Sequence, residues 1–266
     1  MPHRLPPPPL LLLAASILTL LLALPVATLL VHAARPGVLT ALTLPTALDA
    51  LRLSLLTTSI ALILTILLGT PLAYLLARYT FPGKRALEAM VDLPVVLPPV
   101  VAGVALLLVF GRRGLLGAPL AEAGIGLAFT TSAVVLAQLF VASPFYVRAL
   151  KVAIAAVPRS VEEAARIDGA NQLGTLRHVT LPLALPGMIE GSVLTWARAL
   201  GEFGATIVFA GSMAGRTRTM PLEIYAALER DLDAAIATSA VLTVAALALF
   251  LVVRLTSRNV ATPAAD

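Results

Sequence analysis

Apolar residues run along this chain in long blocks, neither alternating as in a strand nor recurring as the stripe of a surface helix. Six blocks are long enough to serve as membrane spans, which need about 20 apolar residues each. They cover residues 10–31, 53–77, 93–110, 127–147, 186–210 and 234–253. Between the fourth and fifth lies a polar, basic island at 148–185. Proline interrupts several blocks, at Pro25, Pro71, Pro98-Pro99 and Pro144. In a soluble helix each would cost about 3 kcal/mol. In a membrane bundle, neighbouring helices re-satisfy the freed carbonyls. Pro98-Pro99 followed by Gly103 predicts a kinked third span, either lining a pore or simply packing.

Composition supports a single polytopic membrane domain over 1–266. The 266 residues are 59% hydrophobic and 12% charged, against about 25% charged in soluble domains. Too little polar surface remains to cover a soluble fold. The expected class is therefore an all-α helical bundle surrounded by membrane lipid. The formal net charge of +5 is scattered and shows no basic helix interleaved with aromatics, so no nucleic-acid partner is expected. Cysteine is absent, and His3, His32 and His178 lie far apart. No catalytic residue, metal site or cofactor is expected. The first block follows Arg4 and ends near a small residue, as a secretory signal would. Its apolar run exceeds the 7–15 residues of a signal core, so a retained first helix is expected.

Lysine and arginine orient the chain, because cytosolic loops are enriched in them. With six spans and the N-terminus inside, the cytosolic side holds Arg4, Arg78, Lys84, Arg85, Arg148, Lys151, Arg159, Arg166, Arg177, Arg254 and Arg258. The opposite side holds the smaller set Arg35, Arg52, Arg112, Arg113, Arg216, Arg218 and Arg230. Both termini and the polar island are thus expected in the cytosol, on a cytoplasmic (inner) membrane protein.

Within the island, Ser160-Val161-Glu162-Glu163 has the form of a capping box, with Ser160 accepting from the Glu163 amide and the Glu163 carboxylate reaching back. A helix of about two turns is predicted through Ala164, Ala165, Arg166 and Ile167. Gly169 sits where a left-handed residue would stop it. Leu181-Pro182 and Pro186 would then reset the chain for the next span. Such a helix either links two spans or seats in a partner.

The spacing Glu163-Ala164-Ala165, Gly169, Val179, Leu181-Pro182 resembles the cytoplasmic signature of binding-protein-dependent ABC transporter permeases, with valine where isoleucine is more usual. The resemblance continues in Asp92-Leu93-Pro94 with Leu97-Pro98-Pro99-Val100-Val101 and Gly103, and in Ala142-Ser143-Pro144-Phe145-Tyr146-Val147-Arg148. The run from Ala197 to Thr206 is similar to the fifth span of the molybdate and sulfate branch, and Thr217 to Tyr225 leans toward molybdate. The resemblance implies a type I (MetI-like) importer fold and the permease subunit of an ATP-driven molybdate importer. Sulfate or thiosulfate, and tungstate, are the alternative substrates. It implies that Ser160, Glu163, Ala164, Ala165, Gly169, Leu181 and Pro182 couple to cytosolic ABC ATPase subunits. It further implies a homodimer, an extracytoplasmic oxyanion-binding protein, and a first span packed outside a five-helix core.

Arg198 and Glu202 stand four residues apart in the fifth span, on one face. Charge at that depth usually faces the bundle interior or water and finds a partner. The pair is either a packing feature or part of a pathway or gate with Thr206, Pro98 and Pro99. Gly201 and Gly204 permit close helix approach or unwinding. Arg112, Arg113, Arg216 and Arg218 are candidates for an outer anion or binding-protein contact, or are solvated loop charges.

No Gly-x-x-x-x-Gly-Lys-Ser/Thr phosphate loop is present; Gly83-Lys84 is followed by arginine and lacks the upstream glycine. ATP hydrolysis by that route must come from a partner. An ion-driven carrier would show inverted repeats and broken helices in both halves, and no internal repeat is evident.

Overall fold

The computed structural model describes residues 8–35 and 45–260, and every regular element there is helical. Arg4 and His3 lie outside the described residues. In chain order the helices are α1 (Pro9–Ala33), α2 (Pro45–Arg78), α3 (Lys84–Val96), α4 (Pro99–Phe110), α5 (Gly117–Glu122), α6 (Thr131–Ala156), α7 (Arg159–Ile167) and α8 (Gln172–Thr175). A π-turn, Leu176–Thr180, leads into α9 (Leu181–Leu183) and α10 (Leu185–Leu200). Then come α11 (Gly204–Phe209), α12 (Met220–Leu228) and α13 (Leu232–Val260).

Helix α6 is the centre of the bundle, with α2 and α10 along its sides and α11 wedged between it and α4. Small residues allow this closeness. A Cβ on Gly191 would stand 3.0 Å from Ala149 Cβ, and one on Gly187 only 2.3 Å from Ala153 Cβ. Such stripes let membrane helices pack backbone to backbone. Buried polar groups then bond between helices. Gln138 of α6 donates to Thr58 Oγ1 of α2 and to Ala199 O of α10, both at 3.2 Å. Ser54 Oγ of α2 accepts from Met220 N at 2.7 Å, fixing the start of α12. Helix α1 buries none of its residues and has α13 as its main neighbour, so it stands outside the core.

Among the described residues, α1, α2 and α6 are long and apolar enough to cross a membrane unbroken, and α3 with α4 would make a fourth span. The single kinked span expected at 93–110 is instead two helices meeting at 118°. A residue that precedes proline avoids the helical region. Leu97 and Pro98 both precede one, and both are extended at ψ 133 and 134. The expected span at 186–210 is likewise interrupted, between Leu200 and Gly204. The span expected at 127–147 runs on to Ala156, because no residue stops it before Pro158; the first part of the island is therefore membrane-helix extension. Arg148 and Lys151 on that extension pair with Asp92 (2.5 Å) and Glu88 (2.6 Å) of α3. The last helix also outlasts its apolar block and continues to Val260.

Candidate functional site: a tethered short helix and two facing helix breaks

Helix α7 begins two residues earlier than a Ser160 capping box requires. Pro158 is its N-cap, Arg159 its first residue, and no side chain caps it. Ser160 is already inside the helix, so the expected Ser160–Glu163 box does not form. The stop is as expected. Gly169 has φ +95, Gly169 N–H donates to Arg166 O at 3.1 Å, and Ala170 N–H donates to Ala165 O at 3.0 Å. These two bonds make a Schellman motif, which needs a left-handed residue at that point. Ser160, Glu163, Ala164 and Ile167 are exposed, Ile167 at 85%. An isoleucine so exposed on a short polar helix is an unpartnered apolar contact.

The glutamate that faces inward is Glu162. Its Oε1 accepts from Arg78 Nε (3.1 Å) and Nη2 (2.9 Å), and from Thr180 Oγ1 (2.7 Å). Arg78 Nη2 also donates to Val157 O at 2.9 Å. The Arg78 and Glu162 side chains are 8% and 5% exposed. Sequence reading missed this cluster because Arg78 is 84 residues away; the Glu162-Glu163 doublet was its only trace. An open cavity of about 490 Å³ beside it is lined by Arg78, Tyr79, Arg159, Glu163 and Arg166 among others.

Leu181 and Pro182 do not reset the chain as expected. They sit in a nearly continuous helical run entered through the π-turn, with Leu181 N–H bonded to Leu176 O. Pro182 has no N–H to offer the preceding turn, and a one-residue bulge absorbs that loss. Val179 lies within the π-turn.

The two helix breaks face each other. Gly204 packs on Pro99, and Gly103 packs on Ala205 and Val208. Gly201 forms the C-cap of α10, with only ordinary space around it. Arg198 Nη1 lies 2.7 Å from Glu202 Oε2, with the side chains 29% and 1% exposed. The contact is ionic, its angle not that of a directed hydrogen bond. Glu202 Oε1 accepts from Ala205 N–H at 2.7 Å and so caps α11. Thr206 is fully buried and its Oγ1 has no partner among the described residues. Pro98 and Pro99 are exposed at the turn.

At the other end, the structure separates the four arginines. Arg112 and Arg216 line one cavity of about 510 Å³ with Phe110, Phe129, Thr130 and Met213, and no acidic side chain lines it. Phe129 there holds φ 62, unusual for a bulky residue, and its N–H donates to Phe209 O. Arg113 is exposed and does not line the cavity. Arg218 is held by its own loop and by an acidic neighbour. It bonds Ser212 through Nε and Nη2 and lies 3.3 Å from buried Glu223, which also holds Arg230.

The described residues thus form an all-α bundle apolar enough to cross a membrane, with two interrupted spans and a short tethered helix. The chain belongs to the family of binding-protein-dependent transport system inner membrane components, matched over residues 66–262. It is therefore a multi-pass inner-membrane protein and a permease-type subunit. It is 47% identical over 224 residues to the molybdenum transport system permease protein ModB of Mycobacterium tuberculosis, covering 84% of this chain and 85% of that one. It is 39% identical over 249 residues to a probable molybdenum ABC transporter permease of Haloferax volcanii, covering 92% and 88%. A bacterial ABC transporter that imports alginate shares the fold, with TM-score 0.76 at 18% identity over 94% of this chain and 95% of the other.

Proposed function

We propose that this chain is the permease subunit of an ATP-driven molybdate importer, working as a homodimer with cytosolic ATPase subunits and an extracytoplasmic oxyanion-binding protein. The observation that carries the substrate is identity of 47% across 84% of the chain to a permease named for molybdenum transport. The chain supplies the passage and is not itself catalytic. Helix α7 docks on the ATPase through Ser160, Glu163, Ala164 and the exposed Ile167, with Gly169 setting its end. Leu181 and Pro182 carry the following helix.

Arg198, Glu202, Thr206, Pro98 and Pro99 form the pathway or its gate. Exposed Pro98 and Pro99 leave one side of that passage to be completed by a second copy. Arg112 and Arg216 receive the anion or the binding protein on the outer face, with Arg113 beside them. Both termini lie in the cytosol. Labelled molybdate uptake into vesicles holding the complete transporter tests the reading. Competition by tungstate or sulfate stronger than by unlabelled molybdate would reassign the substrate. ATP-independent uptake would reassign the class to an ion-driven carrier.

A further inference from the structure

We propose that Glu162 is the positioning residue through which helix α7 moves two membrane helices together. This inference rests on the ABC-permease reading of α7. A single carboxylate oxygen, Oε1, holds Arg78 at the last residue of α2 and Thr180 at the last residue of the π-turn. Thr180 is fully buried, so its bond is sheltered from water. Arg78 spends a further N–H on Val157 O, which ties the chain entering α7 to the same point. The end of α6, the start of α7, the end of α2 and the entry to α10 therefore share one fastening.

The two neighbouring glutamates divide the work. Glu163 is exposed, on the side where a partner would sit. Glu162 points back toward the membrane helices and is 4% exposed. A push on α7 is delivered to α2 through Arg78. Helix α2 is an unbroken 34-residue rod whose far half carries Thr58 bonded to Gln138 and Ser54 bonded to Met220. The same push reaches α10 through Thr180, at the end of the π-turn, by way of α9 and the turn at Ala184. Helix α10 ends two residues before Glu202, at the break that faces Pro99.

The test uses the complete transporter in proteoliposomes, scored as molybdate moved per ATP hydrolysed. Glu162→Gln keeps the shape and removes the charge. Thr180→Val keeps the shape and removes the hydroxyl, while Thr180→Ser retains it. In normally assembled complexes, Glu162→Gln and Thr180→Val each lower the ratio about fivefold or more, the scale of a typical coupling between sites. Thr180→Ser stays near wild type. If Glu162→Gln does not assemble, the Thr180 pair decides. A wild-type ratio in Thr180→Val, or losses of uptake and hydrolysis only in proportion to lost complex, overturns the proposal. A wild-type complex that hydrolyses ATP without moving molybdate overturns the substrate assignment, leaving this fastening to be scored with the true anion.

Discussion

Gly204 lies directly against Pro99: a Cβ built on Gly204 would stand 2.6 Å from Pro99 Cβ, closer than real side chains approach. The two interrupted helices thus meet at their breaks, and the contact depends on a missing side chain. Gly204→Val should force them apart. Overpacking of this kind costs about 1–3 kcal/mol, which would appear as a lower unfolding temperature of the purified complex. Gly201→Ala, whose Cβ would meet only Ala197 O at 3.6 Å, should leave that temperature near wild type. Equal effects would mean the break is not held by this contact.

Arg198→Gln would leave Glu202, 1% exposed, without its counter-ion. Stranding a fully buried charge costs about 3–5 kcal/mol; the cost here is smaller because Arg198 is 29% exposed and partly screened by solvent. Assembly should weaken and uptake should be lost. Neutralising both residues, Arg198→Gln with Glu202→Gln, should restore assembly but not uptake. Normal uptake by the double variant would reduce the pair to a packing element.

Gly169→Leu should damage coupling and spare insertion. No atom lies within 4 Å of the added Cβ, so the penalty is purely conformational. A left-handed non-glycine residue costs about 1–2 kcal/mol, enough to tilt or fray the end of α7. The expected phenotype is a membrane-inserted chain that fails to hold the ATPase, or that hydrolyses ATP without uptake. Co-purification and an ATPase assay separate these two forms. Wild-type behaviour in both would remove the case for a fixed end.

Arg112→Gln with Arg216→Gln should raise the half-saturation concentration for uptake, and more so at low salt, where long-range attraction is least screened. Arg218→Gln should act differently. It removes a partner from buried Glu223 and Ser212, so its effect should be on stability and largely independent of salt. A salt-independent change in the first pair would count against a steering role.

Lys151 Nζ donates to Glu88 Oε1 at 2.6 Å and ties α6 to α3. Both side chains are part-exposed, and such a pair contributes little to stability and is screened by salt. Lys151→Met should therefore lower the unfolding temperature modestly, with the difference from wild type shrinking at high salt. A difference that persists unchanged at high salt would assign it to packing.

Local chemistry was readable from the residues where one residue type is physically required. Gly169 was legible as a left-handed stop because little else tolerates that conformation, and Arg198 with Glu202 was legible because four residues of helix bring them together. The same logic overreached at Ser160, where Pro158 starts the helix before the serine can cap it. It under-reached at Pro98-Pro99, where consecutive prolines announce a bend but not its 118°. The Glu162 cluster was invisible for a different reason. Which of two adjacent glutamates turns inward is decided by Arg78 and Thr180, and only the folded chain brings those together. The split among Arg112, Arg113, Arg216 and Arg218 has the same origin, since Glu223 engages Arg218 alone of the four.

Glu202 serves two masters with its two oxygens. One secures the first turn of α11, and the other neutralises Arg198. Any displacement of Arg198 would strip the counter-ion from the same buried carboxylate that secures the start of α11. The position of the arginine and the stability of the next half-helix are thereby tied through one side chain.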